Sequence, residues 1–205
     1  MRKQMITILC VGIMVMFAAG SAFAGEAGKW GVGLRLGYSG YAGDTFNDSG
    51  VDIDFDPDGA AFYGANLTYF LSNDWALEGA LEYCTTQIDA KAAGWTDDIG
   101  DLTQIPLLLT LRYQPTVGAW MPYVGAGVGY YLNSFDSSDP ADDSDFEDSF
   151  GFLLNLGADY MVNANNCLGL DLRYTFNSAE VEDEPDSPDF ELNAFQAGLT
   201  WKYLF

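Results

Sequence analysis

The chain has 205 residues, and 30 acidic side chains against 8 basic ones give it a net charge of −22, which makes nucleic acid an unfavourable partner. It contains no histidine, so Ser-His-acid hydrolysis and any His-ligated zinc or haem site are excluded. Yet 49% of it is hydrophobic, and the question is where those residues go.

Taken from its start, the chain opens with a processing pattern. Arg2 and Lys3 form a basic start, residues 5–19 are nearly all apolar, and Ala22-Phe23-Ala24 is an A-x-A cleavage site. Residues 1–24 are expected to be a cleaved secretory signal, leaving 25–205 as one exported domain. Leu9 before Cys10 argues against a lipoprotein cleavage box. Removing Arg2 and Lys3 leaves six bases against the same acids, a net −24. Cys84 and Cys167 could pair in an oxidising compartment, but the strand map below puts them on opposite walls at different heights. Two free thiols are expected.

No run after residue 24 reaches 18 apolar residues, so no membrane-spanning helix is expected. Two-sided strands recur instead, with a period of two. They fall at 29–40, 60–71, 75–88, 102–113, 122–133, 150–162, 167–177 and 195–205. In the first, Trp30, Val32, Leu34, Leu36 and Tyr38 oppose Gly31, Gly33, Arg35, Gly37 and Ser39. In the fourth, Ile105, Leu107, Leu109, Leu111 and Tyr113 oppose Gln104, Pro106, Leu108, Thr110 and Arg112. In the last, Phe195, Ala197, Leu199, Trp201, Tyr203 and Phe205 share one face.

Eight strands of about ten residues are each long enough to cross the apolar band of an outer membrane. Connections alternate between short (72–74, 114–121, 163–166) and long (41–59, 89–101, 134–149, 178–189). Short turns on one side and long loops on the other fit a transmembrane barrel with periplasmic termini. Trp30, Trp75, Trp120 and Trp201 all fall at the short-turn end, where an interfacial girdle belongs. Trp95 lies in a long connection. The fold class expected is all-β: an eight-stranded antiparallel up-and-down transmembrane β-barrel.

The stretch IPLLLTLRYQP (105–115), followed by PYVGAGVGYYLN (122–133), resembles the fourth-to-fifth-strand hairpin of small outer-membrane barrels, the OmpW-like and OmpA-like barrel domains. With the strand count, the resemblance spans the sequence from residue 25 onward. It implies an outer-membrane location and partners in the lipid, lipopolysaccharide and barrel assembly machinery. In such barrels the last strand carries an assembly signal, which here maps to Trp201, Tyr203 and Phe205. Unlike OmpA, no periplasmic peptidoglycan-binding domain is expected. The barrel enzymes of this membrane use catalytic histidines, so no catalytic site and no cofactor is expected here.

Charges divide between two places. Inward positions carry Arg35, Glu78, Glu82, Arg112, Asp159, Asp171, Arg173 and Lys202, four of each sign. An eight-stranded barrel is just wide enough for side chains to fill it, and charges there are tolerable only when paired. The balance points to a connected polar plug, with a gate or narrow conduit as the functional version of the same network. Glu78 and Glu82 could also make an acid–base pair, which the four cations render unnecessary. Gly125, Gly127 and Gly129 lie within a strand and are expected to make room for bulky neighbours across the lumen. The long connections carry nearly all the net charge and read as solvated, mutually repelling loops. One run within them, Asp54-Phe-Asp56-Pro-Asp58-Gly59, has calcium-like spacing. Its twelfth position is Ala65 rather than a bidentate Glu, and Pro57 is out of place, so no specific metal site is assigned.

The function expected is a non-enzymatic outer-membrane barrel, structural or a narrow passage for a small solute. The apolar version of that solute comes from the OmpW resemblance. The alternative is a surface interaction module whose acidic loops bind a ligand or divalent cations. A lipocalin-like soluble carrier would need the opposite polarity, apolar inside and polar outside.

Overall fold

Alternation of apolar and polar residues along each segment builds the strands, because side chains of period two alternate across a pleated sheet. The computed structural model describes residues 25–42, 44–48, 51–92, 95–138, 147–179 and 190–205, with 44–48, 51–57, 90–92, 95–98, 179 and 190 described in backbone only. In chain order the strands are β1 (Trp30–Tyr41), β2 (Asp44–Asp48), β3 (Val51–Pro57), β4 (Ala60–Phe70), β5 (Trp75–Ala92), β6 (Trp95–Tyr113), β7 (Trp120–Ser137), β8 (Ser149–Met161), β9 (Asn166–Ala179), β10 (Phe190–Glu191) and β11 (Ala194–Leu204). The described residues contain no helix. The expected signal, residues 1–24, lies outside them.

Eight of these strands close on themselves. β1 pairs antiparallel with β4 on one side and with β11 on the other, and β4-β5-β6-β7-β8-β9-β11 completes the ring. First and last strands thus meet along their whole length, from Gly31↔Leu204 to Tyr41↔Ala194. Closure leaves no free barrel edge, which is what a strand-built wall needs in lipid. The outward rows are apolar and open to the surroundings: Leu34, Leu36, Leu109, Val124, Leu156, Leu170 and Leu199 are all exposed. Such a surface would be a liability in water and is the required one in a bilayer.

Aromatic pairs mark the two rims. At the short-turn end Trp30, Trp75 and Trp120 sit directly opposite Tyr69, Tyr113 and Tyr160 across their ladders, with ring centroids 4.6, 5.4 and 4.9 Å apart. Near the other rim Tyr63 pairs with Tyr83 at 5.4 Å and Tyr130 with Phe150 at 4.9 Å. These are the girdles at the two membrane–water interfaces.

The expected strands stand where the structure has them, but β7 runs on to Ser137 into the expected loop 134–149, and two further expected loops are largely strand. The segment 89–101 is almost wholly strand: β5 runs on to Ala92 and β6 begins at Trp95, so both continue beyond the upper girdle. Above the membrane neither face of a strand needs an apolar row, so the alternation that reveals a strand is missing there. The segment 41–59 likewise holds the hairpin β2–β3, whose second strand pairs with β5 from Ile53↔Ala92 to Pro57↔Ile88.

Candidate functional site: a charged plug beneath a small apolar chamber

The lumen is filled in layers. At the short-turn end, Phe70, Ala76, Met121, Cys167 and Leu204 pack into a dry cluster with Met161 against it. These are the last inward positions of five strands, and together they seal the lower mouth.

Above this seal lies the charge network. All eight inward charges predicted from the sequence are buried, Asp171 completely. They join into one chain of alternating sign. Arg173 meets Glu82 at 2.9 Å, and Glu82 meets Arg35 at 2.8 Å. Arg35 pairs with Asp171, which lies 3.5 Å from Arg112. Arg112 pairs with Glu78, Glu78 lies 3.5 Å from Lys202, and Lys202 meets Asp159 at 2.9 Å. Every internal member is held between two opposite charges, the arrangement that offsets the loss of water around buried ions. Glu78 and Glu82, the two carboxylates that could have made an acid–base pair, are each bound to two cations instead.

Neutral groups that sequence reasoning did not single out complete the layer. The Tyr123 hydroxyl donates to Asp171 at 2.7 Å, and the Arg112 guanidinium lies over the Tyr123 ring, 4.3 Å from its centroid. Asn155 also donates to Asp171, Thr68 to Glu78, and Gln114 to Asp159. Gly125 makes the space for this: a Cβ there would lie 3.0 Å from Arg112 Cγ and closer still to Asn155. The β7 glycines were expected to make room across the lumen; Gly125 instead makes it for its own neighbours on β6 and β8.

Above Glu82 is a small chamber with about 10 Å³ of free room, space for one water. Its lining is mixed: Phe62, Pro106, Tyr131 and Leu192 stand beside Glu82, Gln104, Thr175 and Gln196. The Tyr41 hydroxyl lies 3.4 Å from Cys84 Sγ and donates to Gln104, which is bonded in turn to Asn133. Cys84 and Cys167 are both free and buried, one by the chamber and one in the lower seal.

The wall beside this chamber is incomplete. Pairing of β5 with β6 reaches Leu81↔Leu107 and resumes only at Cys84↔Gln104, so Glu82 and Tyr83 keep their partners on β4 but have none on β6. Opposite Glu82 is Pro106, which has no N–H to give, and opposite Tyr83 is Ile105. On its other side Pro106 keeps its place opposite Tyr131 of β7. The sequence put Pro106 on an inward position of a strand, and the rule confining proline to edges and bulges was the signal available for this break.

The remaining sequence candidates lie elsewhere. Trp201 stands in the lower girdle, its indole N–H donating to Asn166 at 3.2 Å, and Tyr203 stacks on Phe205 at 6.3 Å. Asp54 and Asp56 fall on the extended strand β3, where only the backbone is described, and Asp58 is exposed just beyond it. Among the described residues no cluster of three or more acids and cysteines could hold a metal.

A closed, lipid-facing barrel with two aromatic girdles and a polar interior defines an integral β-barrel of an outer membrane. The chain belongs to the family described as outer membrane protein beta-barrel domain, whose profile matches residues 9–203. It is 30% identical over 108 residues to the dibenzothiophene metabolism operon protein PahQ of Pseudomonas aeruginosa, an alignment covering 51% of each chain. The chain therefore spans only about half the length of that relative. It is 27% identical over 168 residues to outer membrane protein W of Salmonella typhi, covering 76% of each. Among solved structures, OprG of Pseudomonas aeruginosa superposes with a TM-score of 0.73 at 20% identity, over 91% of this chain and 99% of that one. The last likeness concerns the fold.

Proposed function

We propose that this barrel is a passage for small apolar molecules from the outside into the apolar layer of the membrane, and that it works without catalysis. The carrying observation is the gap in the β5–β6 ladder opposite Pro106, beside a chamber whose mixed lining includes the apolar groups Phe62, Pro106 and Leu192. A route straight down the lumen would have to cross the eight-charge chain and then the dry lower seal, which an apolar solute gains nothing from entering. A sideways exit avoids both. The gap opens at the level of Tyr83 and Tyr130, in the upper girdle, where an apolar solute leaving the wall meets lipid. The dibenzothiophene metabolism operon in the name of PahQ supports a small fused-ring aromatic compound as solute class. In this reading the structure is the closed form, since the chamber holds only one water's volume.

The test is uptake of labelled naphthalene by cells with a lipopolysaccharide-covered outer membrane. Cells making the chain are expected to take it up faster than cells carrying an empty vector. Pro106→Ala restores the missing N–H, lets the ladder close, and is expected to return uptake to the vector rate while the folded, heat-modifiable band is retained. Unchanged uptake in that variant would remove the side exit; no acceleration by the parent chain would remove the passage.

A further inference from the structure

The chamber has a roof. Ile88, Leu102 and Leu192 form a buried apolar cluster at the outer mouth, with Ile99 and Phe135 packed against it. Three strands of the wall and the segment joining β10 to β11 contribute to it.

Two local irregularities build this roof. The first is a β-bulge. Pairing passes from Ile88↔Gly100 to Asp89↔Asp98, which leaves Ile99 as an extra residue without a partner on β5. A bulge re-aims the side chain it carries, and here Ile99 packs on the cluster. Gly100 next to it has φ +149°, and a Cβ there would lie 2.7 Å from the Phe135 ring, so the site is built for glycine. The second is a break in the last strand. β10 pairs with Ala179 and Ser178, and β11 pairs with β9 only from Ala194↔Thr175 onward, leaving Leu192 and Asn193 between them. Here the Asn177 N–H donates to the side-chain oxygen of Asn193, at 3.1 Å, and not to a backbone carbonyl. Leu192 N–H still donates to Asn177 O at 2.8 Å. The side-chain amide of Asn177 is 95% buried by its 5% exposure, yet neither its oxygen nor its nitrogen has a partner.

An interrupted ladder beside an unsatisfied buried amide marks a low-stability point in the wall, separate from the gap opposite Pro106. Leu192 belongs both to the roof and to the chamber lining, so any displacement of this short break opens one to the other. We propose that Leu192 is the gate of the chamber, hinged at the Leu192–Asn193 break and closing against Ile88, Ile99 and Leu102. This rests on the chamber being the upper half of the passage. A closed apolar constriction holds back water and ions by staying dry, while an apolar solute can displace Leu192 and keep the same kind of contact with its neighbours.

Cys84 serves as a native reporter, because it lines the chamber beneath this gate. The experiment takes the Cys167→Ala chain purified from outer membranes in its heat-modifiable form and measures Cys84 labelling by a small charged methanethiosulfonate. Slow labelling is expected in the parent, and Leu192→Ala is expected to speed it about tenfold by raising the open population. Leu204→Ala, in the lower seal, is the control for general loosening and is expected to leave the rate alone. Equal rates in the parent and Leu192→Ala, or a parent that labels as fast as unfolded chain, would overturn the gate. A second variant reads transport directly: Leu102→Cys with Leu192→Cys in a Cys84→Ala background. Oxidation is expected to stop naphthalene uptake and reductant to restore it. Uptake unaffected by the closed bridge would refute the gate while leaving the passage intact, whereas failure of the parent chain to speed uptake would refute the passage itself.

Discussion

Arg35→Met is expected to destabilise the barrel by about 3–5 kcal/mol, the cost of breaking a buried ion pair by removing one partner. Arg35 is the link between the upper and lower halves of the charge chain. Without it, Arg173 and Glu82 remain as a neutral pair, but Asp171, Glu78 and Asp159 are left with only Arg112 and Lys202. One uncompensated negative charge is then buried. Removing Asp171 as well, in Arg35→Met with Asp171→Leu, leaves two neutral groups, Arg173–Glu82 and Arg112–Glu78–Lys202–Asp159. The double variant is therefore expected to be more stable than Arg35→Met alone, even though Arg112, Tyr123 and Asn155 then lose their contacts with Asp171. Urea titration in lipid bilayers, followed by tryptophan fluorescence, measures all three proteins. If the double variant is the less stable, the eight charges do not act as one alternating chain.

Leu109→Arg is expected to cost about 2–4 kcal/mol in the same titration. Leu109 is an exposed residue of β6, between Tyr113 in the lower girdle and Leu107 opposite Tyr130 at the upper one. By ordinary solvent exposure it would be among the most tolerant positions, since a surface change in water is usually worth within about 0.5 kcal/mol. In the membrane it faces hydrocarbon, and an arginine there must bend toward a girdle or thin the lipid. Tyr83→Arg, at the upper rim, is expected to cost about 0–1 kcal/mol. A flat response between these two positions would contradict the placement of the apolar band.

How much of this could be read from the sequence follows from where each signal comes from. Within the membrane a strand must be apolar on one face and can be polar on the other, so residues such as Leu107, Leu109 and Leu111 against Leu108, Thr110 and Arg112 announce both the strand and its orientation. The same alternation assigned all eight lumen charges to the inside. Their order along the chain, from Arg173 to Asp159, depends on the stagger between strands, and that is set by ladder register rather than by any local pattern. Beyond the upper girdle the constraint lapses. The run Trp95-Thr96-Asp97-Asp98-Ile99-Gly100-Asp101 carries no period of two and reads as a loop, although it is strand. The gate was hidden for a related reason. Ile99, three residues from Leu102, reaches the roof only because the bulge turns it toward the same side, and Leu192 lies in a segment next to an acidic run. Pro106 was an irregularity visible in advance, as a proline in the middle of an interior strand.

The most direct test of a sideways route for apolar solutes is ionic conductance of the folded chain in planar bilayers. The lower seal, the charge chain and the roof all lie across a lengthwise path, so a protein confirmed as folded by its heat-modifiable band is expected to give a silent bilayer. Discrete openings whose size or lifetime changes in Glu82→Ala would contradict this, and would mean that solutes run the length of the lumen through the charges themselves.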